Sequence, residues 1–354
     1  MDSRDPLDDS LFKAGDQNRT NDAWILLKNK LLELGYEMHT ADSHSLVDCA
    51  GVLFMNSTSV NFKYIKEEKM KSSLRNYIEE RIKILFKNKK GQKRNLFQEC
   101  LDQNLSDKIA LLMWEGRSVD PGNYSSELHD KFPLIFTWDD NLVDNKKFIK
   151  FYLPIPDRQP IENPIPFADK KMLVLINHDK ISKIPDELNS ERKKAAWFFG
   201  KKLLDQFDLF GSKWNQPKNK IQKIFPFLVK KYSNYRGHTV DKIATLSKYK
   251  FCICYENWSG GQGYITDKMF DCFQAKTVPI YWGAKNIEDY VDKRAFIDRR
   301  QFKNNYELLE FILNIKEEEY NNYISAINDY LKSDKYKLFL PENFVDTIIK
   351  NIKL

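Results

Sequence analysis

The 354-residue chain is most informative at first in what it lacks. No run of about 18 apolar residues occurs anywhere, so no stretch reads as a membrane-spanning helix. Met1 to Asn21 is polar and acidic, without the apolar centre of a secretory leader, and reads as a mobile leader. The five cysteines, Cys49, Cys100, Cys252, Cys254 and Cys272, form no Cys-x-x-Cys pair and are odd in number, which reads as reduced thiols of a cytosolic protein. Cys252 and Cys254 lie two apart on a strand-like run and face one side, as core residues do. Five scattered histidines show no metal-ligand spacing, and no Asp-x-Asp stands in a suitable strand-end loop. Repeats and low-complexity tracts are missing too. The net charge of +7 comes from 57 basic against 50 acidic residues, too even for the concentrated basic face of a nucleic-acid binder. Its basic runs, 87–93 and 230–238, read as solvated surface and leave room for a phosphate-bearing substrate or peripheral association with the inner membrane face.

What is present suffices for two domains. Hydrophobic residues make up 42% and aromatics 14%, enough for two cores and too much for general disorder. Apolar residues at helical spacing from Ala23 to Leu34 stop at Gly35, and a strand-like run follows from Leu46 to Met55. Tyr64 to Lys90 reads as a long amphipathic helix. Further strands are predicted at Lys108–Met113, Phe132–Trp138 and Phe148–Leu153, before a passage, Pro154 to Pro166, with five prolines that suits an extended linker. A second set begins with a strand at Lys171–Ile176, a helix from Ser190 to Leu204 with Ser190 as candidate N-cap, and a strand at Phe207–Phe210 closed by Gly211. From Asn304 onward the pattern is helical. The reading is α/β throughout: an N-terminal domain over 1–160 (with 1–21 mobile), a C-terminal domain over 161–330, and a helical tail over 331–354.

The densest chemistry lies between Tyr249 and Phe302. Tyr249 to Tyr255 reads as a buried strand ending at Glu256 and Asn257, and Val278 to Trp282 as another. Between them, Trp258 to Gly263 holds three glycines, which permit positive φ and the close approach of a ligand. A helix then begins at Thr266 and Asp267, with Lys268 in its first turn, where an ammonium and the free N–H groups of the helix start converge on an anion such as a phosphate. The spacing also fits a plain loop-to-helix junction with a solvated lysine.

The motifs in this stretch, Tyr249-Lys250-Phe251, Glu256-Asn257, Tyr264-Ile265-Thr266-Asp267-Lys268 and Val278-Pro279-Ile280 through Gly283, resemble the donor-binding segment of glycosyltransferase family 10, the α1,3/α1,4-fucosyltransferases. Asp267 stands where that family usually has glutamate, and Tyr255 where it usually has phenylalanine. The resemblance implies the GT-B architecture, two Rossmann-like domains facing across a cleft, and an inverting transfer from a GDP-sugar, GDP-fucose first, to a glycan acceptor. In that family, animal and plant members are membrane-anchored, so the resemblance together with the missing anchor points to a bacterial-type soluble, cytoplasmic enzyme acting on a surface-glycan precursor.

Both halves supply candidate site residues. Glu115 stands just past a strand end, where ligand-handling groups of open parallel sheets sit, and the resemblance makes it the general base; Asp139 and Asp140 are the reserve. For the departing diphosphate, Lys268 comes first, and the resemblance adds Arg192 from the other side. Asn177, Glu256, Asn257, Tyr264 and Thr266 are expected to line the nucleotide and sugar site, and Asp267 to accept from the ribose hydroxyls. With lysine, arginine and helix N–H groups on the diphosphate, the expectation is that no metal or other cofactor is required. Two other readings stay open: the same fold with a different GDP-sugar, and a non-catalytic glycan- or anion-binding module.

Overall fold

In the computed structural model of the chain, residues 9–13, 21–41, 44–60 and 94–352 are described. The expected helix over 64–90 and most of the leader lie outside them. Among the described residues the strands form two parallel sheets. The first comprises β1 (Val52–Met55), β2 (Ile109–Met113), β3 (Leu134–Thr137) and β4 (Phe148–Lys150), in that order. The second comprises β5 (Lys171–Ile176), β6 (Phe207–Phe210), β7 (Tyr249–Tyr255), β8 (Val278–Trp282) and β9 (Ile297–Asp298), in the order β6-β5-β7-β8-β9.

Alternation along β2 shows why the first sheet forms. Ala110 and Leu112 join one cluster with Trp24, Leu27, Phe136 and Phe344, while Ile109, Leu111 and Met113 join another with Phe54, Phe132 and Ile135. A strand covered on both faces must be apolar at every position. The strand expected from Leu46 shrinks to its last four residues, because Val47 is exposed and Asp48 takes a φ of 61°. The strand expected over Phe148–Leu153 keeps only Phe148–Lys150.

In the second sheet β5, β6, β7 and β8 occupy the bounds read from the sequence. The helix after β5 runs Asn189–Lys202, and Ser190 is not its N-cap. The Glu187 carboxylate takes the N–H of Asn189 at 2.8 Å and that of Ser190 at 3.2 Å. A charged acceptor serves two unpaired donors there and opposes the helix dipole better than a hydroxyl.

The helix Pro341–Asn351 leaves the second half and packs on the first. Phe344, Val345 and Ile348 lie in one cluster with Trp24 and Leu27 of the helix Asp22–Glu33, with the rings of Trp24 and Phe344 5.5 Å apart. Among the described residues the chain therefore crosses between the halves twice. The crossings touch, since the Ile155 N–H donates to the Phe339 carbonyl at 2.9 Å.

Candidate active site

The C-terminal half of the candidate site is built at the carboxyl end of β7. Its neighbours β5 and β8 bury it, so the polar Glu256 that follows is carried into the interior and has no exposed surface. Its N–H donates to the Trp282 carbonyl at 2.7 Å, fixing the strand end. The Glu256 carboxylate accepts from the Thr266 N–H and hydroxyl, each at 2.9 Å, and from the Lys268 ammonium at 3.0 Å. Thr266 is the N-cap of the helix Asp267–Gln274, and its hydroxyl oxygen lies 2.9 Å from the Lys268 Nζ. One buried carboxylate thus fixes the helix start and aims the lysine, whose side chain keeps 19% of its surface exposed.

Asp267 points the other way. Its carboxylate pairs with the Lys242 ammonium at 3.0 Å, and Lys242 also pairs with Asp271 at 2.5 Å. Burial opposes ionisation of Asp267, but Lys242 and Lys268 outweigh it and hold its carboxyl well below the usual range.

Arg192 lies in the first turn of the helix Asn189–Lys202 and is buried. Its guanidinium donates to the Tyr255 carbonyl through Nε at 3.1 Å, and to the carboxamide oxygens of Asn177 at 3.1 Å, Asn189 at 2.9 Å and Asn257 at 3.1 Å. It therefore presents no open fork to solvent but clamps the ends of β5 and β7 together and sets the two amides. Burial pushes its pKa down to about 10, with the Glu256 charge opposing the shift.

The N-terminal half contributes Glu115. Its N–H donates to the Asn56 side-chain oxygen at 2.8 Å, and its carbonyl accepts from the Asn123 amide at 3.0 Å. Asn123 also donates to Asn56 at 2.9 Å, so the two asparagines pin the backbone that carries the carboxylate. Asn56, with a φ of 64°, ends β1 as Glu115 ends the neighbouring β2; the strand-end argument that picked Glu115 applies equally to it.

Tyr264 joins the halves. A Cβ placed on Gly116 would meet its ring at 3.1 Å, and the Trp138 ring lies 4.7 Å away. Burial raises the Tyr264 hydroxyl well above its ordinary pKa, and the Glu115 and Glu256 carboxylates add to the rise while a hydrogen bond with Asn257 opposes it. Gly116 follows Glu115, so the phenol ring packs beside the strand end that carries that carboxylate.

The glycine-rich loop serves this junction. Added Cβ atoms on Gly260 and Gly261 would strike the Trp258 ring, and one on Gly263, whose φ is 79°, would lie 2.5 Å from the Trp138 carbonyl. These close approaches are made to the Trp258 ring within the loop and, from Gly261 and Gly263, to Trp138 of the other half. Asp140 completes the seam, accepting from Lys150 at 2.6 Å, Tyr290 at 2.6 Å and Asn286 at 2.9 Å, while Asp139 accepts from the backbone and amide of Asn141. Neither reserve aspartate stands uncommitted. Sequence reading missed Asn56, Asn123, Trp138 and Asn189.

The expected core role of Cys252 and Cys254 matches their burial. The histidines are less scattered than they read. His39 and His44 stack with ring centroids 3.6 Å apart, and Asp9 accepts from His39 at 2.8 Å, so these three place ligand-type atoms within 4.8 Å of one another. The Asp9 carboxylate is also occupied by the Thr40 N–H at 2.7 Å. Among the described residues no helix is long and apolar enough to cross a membrane.

Two parallel-sheet α/β domains meeting at their strand ends define the GT-B architecture of glycosyltransferases. Residues 193–339 match the family model for glycosyltransferase family 10 (fucosyltransferase), C-terminal part. The alpha-(1,3)-fucosyltransferase FucT of Helicobacter pylori is 38% identical over 80 residues, covering 22% of this chain and 16% of that protein. An alpha-(1,4)-fucosyltransferase of Arabidopsis thaliana is 36% identical over 67 residues, 19% of this chain and 16% of its own length. The matched segments thus span about a sixth of these relatives. Among solved structures, an alpha1,3-fucosyltransferase aligns at 15% identity and a TM-score of 0.45, over 75% of this chain and 77% of that one.

Proposed function

We propose that the protein is an inverting fucosyltransferase that moves L-fucose from GDP-fucose, in α1,3-type linkage, to a bacterial surface glycan of the lipopolysaccharide or O-antigen kind, in the cytoplasm. The observation that carries this reading is that the Tyr264 ring, which precedes the helix bearing Lys268, packs against Gly116 beside Glu115, so that the strand ends of the two halves meet.

In the reaction Glu115 takes the proton of the acceptor hydroxyl as its oxygen attacks the anomeric carbon. The bond from that carbon to the diphosphate breaks on the opposite face, so the configuration inverts. The electron pair leaves with GDP, whose charge meets the Lys268 ammonium and the N–H groups at the start of the helix Asp267–Gln274. Arg192 acts by setting the Asn177 and Asn257 amides toward the nucleotide. These cations and dipoles suffice for the leaving group, so the proposed chemistry calls on no cofactor beyond the GDP-sugar.

A second reading, transfer from another GDP-sugar, is favoured by Asp267, which stands where the resembled family usually has glutamate and pairs with Lys242. A panel of GDP- and UDP-sugars, followed by turnover and by nucleotide-induced thermal shift, tests both. Turnover with GDP-fucose alone is expected; turnover only with a different GDP-sugar selects the second reading, and neither turnover nor thermal shift overturns both.

A further inference from the structure

Between Asp208 and Asp241 the chain holds six lysines and one arginine and no acidic residue. This stretch leaves the carboxyl end of β6, the edge strand of the second sheet, and carries a short helix, Lys220–Ile224, and a turn, Pro226–Leu228. Here the usual burial pattern is reversed. Ile221 is 61% exposed, Ile224 70%, Phe225 47%, Phe227 80% and Leu228 49%.

The segment is held in place. Val229 and Tyr232 are buried behind it, and the Asn215 side chain bonds the Tyr232 backbone at both its N–H (2.7 Å) and its carbonyl (3.2 Å). The Asn219 side chain accepts from the Gln222 N–H at 2.9 Å and caps the short helix. So concentrated an apolar tip on a fixed base marks an interaction surface.

A ring of positive charge surrounds the tip. Lys220, Lys223, Lys230 and Lys231 are exposed. The Lys230 ammonium sits 3.8 Å from the Trp197 ring centroid and that of Lys201 4.3 Å, and Trp197 is itself 37% exposed. A partly exposed tryptophan among lysines suits the polar border of an apolar phase.

We propose that residues 220–231 form a membrane-docking surface: Ile221, Ile224, Phe225 and Phe227 enter the headgroup boundary of an anionic bilayer, and the surrounding lysines bind lipid phosphates. The layering of charge decides the occupant. An anionic bilayer offers negative charge outside and hydrocarbon within, in the order the segment presents lysine and phenylalanine. A second copy of the chain meeting this patch about a two-fold axis would set the lysines against themselves. The docking is independent of the sugar-transfer chemistry, so the failure of either leaves the other standing.

The test is flotation of the full chain with phosphatidylcholine vesicles, with and without phosphatidylglycerol. Binding is expected only with the anionic lipid and weakens with salt. Phe227→Ser with Ile224→Ser lowers the partition coefficient about tenfold or more, and Lys220→Glu with Lys223→Glu does so on the order of tenfold, with unchanged circular dichroism in both. Equal binding to both vesicle types, or variants that bind like the wild type, overturns the proposal. So does a wild-type dimer in sedimentation velocity that Phe227→Ser converts to monomer, which assigns the patch to self-association.

Discussion

The Lys268 ammonium lies 3.0 Å from a Glu256 carboxylate that has no exposed surface. Burying a carboxylate is costly without charged and hydrogen-bonding partners, and Lys268 supplies the ion pair here. The lysine therefore serves the fold, beside the role on the diphosphate that we propose for it.

Lys268→Ala separates these duties. It leaves Glu256 buried without its ammonium partner and is expected to cost about 3 kcal/mol of stability, together with a loss of GDP affinity. Adding Glu256→Gln recovers the melting temperature without recovering the affinity. Thermal denaturation and calorimetric GDP titration read the two effects; equal recovery of both contradicts a direct role on the diphosphate.

Glu115→Gln keeps the backbone clamp of Asn56 and Asn123 and removes only the proposed base. The turnover rate is expected to fall about 10²–10⁴-fold with GDP binding unchanged. Asn56→Gly tolerates the positive φ but frees the Glu115 N–H, and a smaller fall in rate follows. Steady-state kinetics beside GDP titration check both.

Gly263→Ala strains a φ of 79° and drives a methyl to 2.5 Å from the Trp138 carbonyl. A loss of about 1–3 kcal/mol is expected, seen as a lower denaturant midpoint, and the seam between the halves becomes more open to limited proteolysis.

His129 makes stability depend on pH. Burial lowers its pKa, although its Nε2 sits 2.6 Å from the Asn123 carbonyl. In the unfolded chain the imidazole takes a proton near pH 6.5, and in the folded chain only at lower pH. Between those values the unfolded state binds more protons, so stability falls as pH falls below about 6.5. His129→Gln flattens that part of a melting-temperature profile, and an unchanged slope assigns it to another group.

Strands β5 to β8 were legible because each is an apolar run bounded by polar residues or glycine, a local signal. The start of the helix Asp267–Gln274 was legible for the same reason, with Thr266 as its cap. Connections between distant residues left no such trace. Asn56 reaches Glu115 across 59 positions and Asn123 across 67, and nothing local marks either asparagine as a clamp. The burial of Arg192 was hidden similarly, since the neighbouring Lys193 and Lys194 make its helix turn look solvated. The glycines of the 258–263 loop showed that something must approach closely but not that it would be Trp138 and the Trp258 ring.

Because the two passages between the halves are bonded to each other at Ile155 and Phe339, the lobes share a single pivot rather than a pair of separated hinges. Relative motion then swings about that point, and displacement grows with distance from it. Across the same junction Asp140 and Lys150 bond Tyr290, a second tie between the lobes.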